Sequence, residues 1–191
     1  MTQPRIEPIA VNEADPQAQA VLQRAKKDMG MLPNVYRVFA HSPATLTGYD
    51  ALARMLDQGH LTKRVREQIA LMCAAQNACD YCLAAHRVTG RMAKLSHDEI
   101  AAAEQGNASD AREAAALSFA KSLLDDVGDA DPAAYEAARA QGLTDREMIE
   151  ITGNVAANIF TNMINRLAQT PIDFGRVARA AAEVSARFGR G

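Results

Sequence analysis

Helix-start signals recur from one end of this 191-residue chain to the other, and strand signals do not. Asp15 before Pro16 opens a helix that Gly30 closes. Pro33 to Ala40 reads as a short helix, and Ser42 with Pro43 starts another that runs to Gln58, with Gly59 behind it. Thr62 caps a helix carrying Glu67, Ile69, Ala70, Leu71 and Cys73. A break is expected near Asn77, after which a second helix runs from Cys79 to Ala93. Ser96 with Glu99, Asp110 with Glu113 and Thr144 with Glu147 have the spacing of capping boxes. They start a short helix, one reaching Leu124, and a long one from Asp145 to Ala168. Asp131 with Pro132 opens a further helix ended by Gly142, Thr170 with Pro171 stops the long one, and 174–188 reads as a terminal amphipathic helix. A chain punctuated this way folds as an all-α helical bundle.

Hydrophobic residues make up 48% of the chain with 5% aromatic and no Trp, so the core must come from Ala, Leu, Ile, Val and Met. The length suits one all-helical domain over 1–191. A net charge of −2 with a pI near 6.1 gives no electrostatic reason to expect nucleic acid or an anionic membrane as a partner. No segment reaches the roughly 18 uninterrupted apolar residues of a membrane span. The opening MTQPRIEPIAVNEADPQ has no apolar core of a signal peptide. A cytoplasmic protein is the expectation.

The reactive groups concentrate in one stretch, EQIALMCAAQNACDYCLAAH, from Glu67 to His86. Three cysteines, two of them in a Cys-x-x-Cys at Cys79 and Cys82, argue against a disulfide scaffold and for redox or metal chemistry. Side chains three and four apart share a helix face, so Cys79, Cys82 and His86 fall on one stripe. The thiolate is the nucleophile, and its pKa falls beside a protonated histidine, at a helix N-terminus or within a Cys-x-x-Cys. A helix restarting at Cys79 favours that sulfur, whereas contact with His86 favours Cys82. In an unbroken helix Glu67 would stand about 120° around the axis from Cys79. A kink at Asn77 folds it back towards His86 as an orienter or proton relay. Cys73, inside the apolar IALMCAA, reads as a buried small hydrophobe.

The pattern E-x11-C-x-x-C-x-x-x-H resembles the active-site signature of the alkylhydroperoxidase D-like group of the carboxymuconolactone decarboxylase superfamily. AAQNACDYCLAAHRVTG and FTNMINRLAQTPIDF, from Phe160 to Phe174, look like its peroxidase-related members, so the resemblance covers roughly 30–175. It implies an all-helical homo-oligomer, trimer or hexamer, that reduces a small-molecule peroxide. It also implies no cofactor, only an external dithiol or protein reductant. On the matching positions Cys82 is the attacking cysteine, Cys79 the resolving one, and Glu67 with His86 the relay. Tyr81 stands where the alkylhydroperoxidase has a second histidine, and a phenol titrating near 10 cannot shuttle protons at neutral pH in the same way.

Other readings use the same residues. Cys79, Cys82, His86 and Glu67 make a donor set within the tetrahedral preference of zinc, although a structural site rarely takes so distant a carboxylate. A redox-sensing oligomer without efficient turnover and a lactone decarboxylase-like enzyme complete the alternatives. Asn154, Asn158, Thr161, Asn162 and Asn165 lie at helical spacings on the long helix, where amides suit a ligand or a partner helix. Tyr81, Asn162 and Asn165 are the substrate-binding candidates. His41, His60 and His97 stand at helix ends, and Lys63, Arg64 and Arg66 read as a solvated face. LTKRVREQIALMCAA (61–75, within the motif region 61–93) and LTDREMIEITGNVAA (143–157, within 143–168) share Leu-Thr, an Arg, an Ile and a closing Ala-Ala at one offset. The echo suggests two related halves, of which one kept its thiols.

Overall fold

The computed structural model describes residues 3–174. The helix expected beyond Phe174 lies outside the described residues. A 3-10 turn at Val11–Glu13, which no sequence signal announced, leads into nine α-helices among the described residues. These are α1 (Pro16–Met29), α2 (Asn34–Phe39), α3 (Pro43–Asp57), α4 (Lys63–Gln76) and α5 (Asp80–Met92). They continue with α6 (His97–Glu104), α7 (Ala111–Asp125), α8 (Pro132–Ala140) and α9 (Asp145–Ala168). No strand occurs among the described residues, and no helix there is long and apolar enough to cross a membrane.

The caps explain the boundaries. Asp15, Ser42, Thr62, Ser96, Asp110, Asp131 and Thr144 each accept a backbone N–H of the first turn that would otherwise have no partner. Thr62 and Thr144 do the same work at the starts of α4 and α9, and the preceding Leu61 and Leu143 are both buried. The two places where the sequence echoes thus share their capping and their buried leucine. At α9 the box is reciprocal, with Glu147 Oε2 accepting from the Thr144 N–H at 2.9 Å and Thr144 Oγ1 accepting from the Glu147 N–H at 3.2 Å. Thr144→Ala is expected to cost about 1 kcal/mol, measurable by denaturant unfolding.

α4 is the centre. Gln68 to Ala74 are all buried, which an amphipathic surface helix cannot manage, and α5, α6, α7 and α9 pack around it. Its far side belongs to a cluster with Phe119, Leu123, Met148, Ile151 and Val155. The opposite end of the molecule is a second cluster in which α1, α2 and α3 close over Cys79, Tyr81 and Cys82. The few aromatic residues gather there, with Phe39 stacked on Tyr49 at 4.8 Å and Phe160 edge-on to both. The cysteine pair therefore belongs to the more aromatic of the two clusters.

Candidate active site

The break between α4 and α5 decides where the sulfurs go. α4 ends in a Schellman motif: the Cys79 N–H donates to Ala74 O at 2.9 Å and the Ala78 N–H to Ala75 O at 3.1 Å. Asn77 is the C-cap, and the left-handed residue is Ala78, at φ 48°. Glycine is the usual occupant of such a position, and an alanine there costs about 1 kcal/mol or more. α5 then starts with Cys79 as its N-cap, Sγ accepting from the Cys82 N–H at 3.3 Å. The two cysteines are joined as a disulfide with Cα atoms 5.3 Å apart. Cys79 is 1% exposed and Cys82 3%. Cys73 is fully buried in α4, and burial pushes its thiol up to about 12, so it stays protonated and inert at neutral pH.

The turn also folds Glu67 back beside α5. Glu67 Oε2 lies 3.0 Å from His86 Nδ1 and accepts from Thr89 Oγ1 at 2.6 Å. Burial works to raise the Glu67 pKa, but hydrogen bonds from His86 and Thr89 and the imidazolium charge outweigh it and leave the pKa below its ordinary value. With the carboxylate ionised, Nδ1 carries the proton of that bond, and Nε2 is the nitrogen left to exchange one. Thr89, three residues beyond His86 on the same face, was not foreseen from sequence.

Because the folded Glu67 binds its proton less readily than the unfolded one, its contribution to stability is present above its unfolded pKa, near 4.5, and is lost as pH falls through the lower folded value. Glu67→Gln is expected to destabilise by about 1–3 kcal/mol at pH 7. The gap to the parent should narrow as pH drops below about 4.5, a trend that urea unfolding across pH 3–7 would reveal.

Glu67 and His86 open onto a cleft of about 210 Å³ whose walls include Tyr49, Leu56, Ala70, Asn158 and Thr161. Burial and the Asp50 charge push the Tyr49 phenol up to about 12, so it keeps its proton and can donate. The sulfurs do not line this cleft. No hydrogen bond links His86 to either sulfur in the disulfide form among the described residues, so the stripe of Cys82 and His86 is a shared face without a bond.

The remaining candidates separate. Asn165 Nδ2 donates to Cys82 Sγ at 3.4 Å. Asn162 Oδ1 accepts from Asn77 Nδ2 at 2.9 Å, which ties α9 to the helix break. Asn154 and Asn158 donate to carbonyls one turn earlier in α9 while facing the cleft. Tyr81 points away from the cleft: its hydroxyl donates to Asp173 Oδ1 at 3.0 Å and accepts from the Val35 N–H at 3.1 Å. Asp173 Oδ2 also accepts from the Asn34 N–H, so the segment after α9 is fastened across the start of α2. His41 bonds Glu7 O, and Arg64 pairs with Glu99 and Glu113 away from the site. Among the described residues no three His, Cys, Asp or Glu side chains gather as a metal-ligand set.

The description "carboxymuconolactone decarboxylase family" fits residues 43–125, which run from α3 through α7 and take in Glu67, both motif cysteines and His86. Over that stretch the chain is similar to the carboxymuconolactone decarboxylase family. The fold is that of the alkylhydroperoxidase D-like group. An alkylhydroperoxidase AhpD core, peroxidase-related protein from Ralstonia eutropha JMP134 superposes with a TM-score of 0.79 at 24% identity, over 91% of this chain and 94% of that one. A peroxidase-related protein from Silicibacter sp. TM1040 gives 0.76 at 25% identity, over 91% and 95%. The debrominase Bmp8, as a cysteine-to-alanine variant holding 2,3,4-tribromopyrrole, gives 0.75 at 20% identity, over 95% and 98%. No curated protein matches the sequence.

Proposed function

We propose that this protein is a member of the carboxymuconolactone decarboxylase superfamily and a thiol-dependent peroxidase that reduces hydrogen peroxide or an organic hydroperoxide with Cys79 and Cys82. The observation that carries the reading is a cysteine pair at disulfide distance at the start of α5, the helix that also carries His86, which is paired with Glu67 on a cleft. The Cys82 thiolate attacks the outer peroxide oxygen, the O–O bond breaks, and the departing alkoxide takes a proton from His86, giving Cys82 sulfenic acid and an alcohol. The Cys79 thiolate then attacks the sulfenic sulfur, forming the S–S bond and releasing hydroxide, which leaves as water once protonated. An external dithiol or protein reductant returns two electrons and two protons. Glu67 holds His86 in one orientation, with Nε2 left to supply the proton to the leaving oxygen.

The same reading takes the protein as a cytoplasmic homo-oligomer without a bound cofactor. Met163 and Leu167, exposed one turn apart on α9, supply an apolar face for the assembly.

The test is turnover of hydrogen peroxide, cumene hydroperoxide and a fatty-acid hydroperoxide with dithiothreitol, thioredoxin and a dihydrolipoyl carrier as reductants. The debrominase shares the fold, so a brominated pyrrole belongs in the panel. Absence of turnover with every peroxide and reductant would sink the reading.

A further inference from the structure

We propose that Asn165 of α9 holds Cys82 Sγ through its side-chain amide and thereby makes Cys82, in preference to Cys79, the attacking sulfur. The inference rests on the peroxidase reading only for what is attacked; the sulfur–amide contact stands without it.

The argument starts from the cost of a buried thiolate. Cys73 shows that cost within the same molecule: fully buried, with no donor beyond its own helix among the described residues, its thiol is pushed up to about 12. Cys82 is almost as deeply buried. A nucleophile there needs hydrogen bonds to its charged form, since these are the bonds that strengthen on ionisation. The start of α5 serves the other sulfur, because the Cys82 N–H is directed at Cys79 Sγ. His86 is held by Glu67 on Nδ1. Among the described residues, the side-chain donor to Cys82 Sγ is Asn165 Nδ2, at 3.4 Å.

The amide is placed for that sulfur and not for a satisfied core. Asn165 is 4% exposed, and its Oδ1 is buried without a hydrogen-bond partner, a cost a merely structural amide would not carry. One turn earlier Asn162 bonds Asn77, fixing the register of α9 against the break that positions the pair. The two sulfurs are therefore served by different donors. Cys79 has a helix terminus, which any residue sequence could provide, while Cys82 has an asparagine side chain delivered from 83 residues away.

The measurement is thiolate absorbance against pH on reduced protein in a Cys79→Ser background, where the proposal expects Cys82 to titrate below Cys73. Asn165→Ala should move the Cys82 midpoint up by about one pH unit. Asn165→Asp, which keeps the size and removes the donor, should move it at least as far, because an ionised carboxylate beside the sulfur opposes the thiolate. Ile151→Ala, a destabilising change in the same helix remote from the sulfurs, should leave the midpoint in place. An unchanged midpoint in Asn165→Asp, or an equal shift in Ile151→Ala, overturns the proposal. Neither readout needs peroxide, so failure of turnover in the parent protein removes the peroxidase reading without touching this result.

Discussion

Cys82→Ser is expected to bring peroxide consumption down to the rate without protein, because a serine hydroxyl at neutral pH is not ionised and cannot attack the O–O bond. Cys79→Ser is expected to behave differently. It should consume one equivalent of peroxide per subunit and stop, leaving a Cys82 sulfenic acid with no partner to condense with. Rapid mixing with peroxide, followed by mass spectrometry after dimedone trapping, separates the two: an adduct on the Cys82 peptide of Cys79→Ser, and none in Cys82→Ser. An adduct on Cys79 in the Cys82→Ser protein would exchange the roles of the sulfurs, and the start of α5 would then be the stronger activator.

Tyr81→Ala is expected to be the most destabilising change within the motif, by about 3–5 kcal/mol, the range for removing a large buried aromatic side chain. The ring is 4% exposed and meets Phe174 edge-on at 5.2 Å. Its hydroxyl joins the Val35 N–H to Asp173. Burial, with the neighbouring Asp173 carboxylate, holds the phenol protonated well above its ordinary pKa, so it remains a donor throughout the working range. Tyr81→Phe keeps the ring and should cost about 1–3 kcal/mol through the unpaired Val35 N–H and Asp173 oxygen. Thermal unfolding ranks the two, and equal losses would show that the hydroxyl, not the ring, fastens the segment after α9.

The helix boundaries were legible because they are local chemistry. Asp15, Ser42, Thr62, Ser96, Asp110, Asp131 and Thr144 each cap a helix within three residues of themselves, and a short window of sequence contains the whole interaction. The approach of Glu67 to His86 was legible for a related reason: 19 residues and one expected break separate them. What the sequence concealed is contact made by closure of the bundle. Nothing at Tyr81 points to Asp173, 92 residues on, and nothing near Cys82 points to the Asn165 amide. Ala78 is the sharpest case. No glycine or asparagine announces a left-handed residue there; the conformation is imposed by α5 packing back on α4, and alanine has no local chemistry to betray it.

The capping role of Cys79 gives the disulfide a second thermodynamic partner. A thiolate caps a helix N-terminus better than a neutral sulfur does, so reduction of the pair and firmness of the first turn of α5 are linked quantities, each shifting the other by the same free energy. Serine is a good N-cap and alanine a poor one. Cys79→Ser therefore removes the redox partner alone, whereas Cys79→Ala also loosens the turn that carries Tyr81 and Cys82. Amide hydrogen exchange at Tyr81, Cys82 and Leu83 reads that difference directly, and it makes the helix start a sensor of the oxidation state of its own cap.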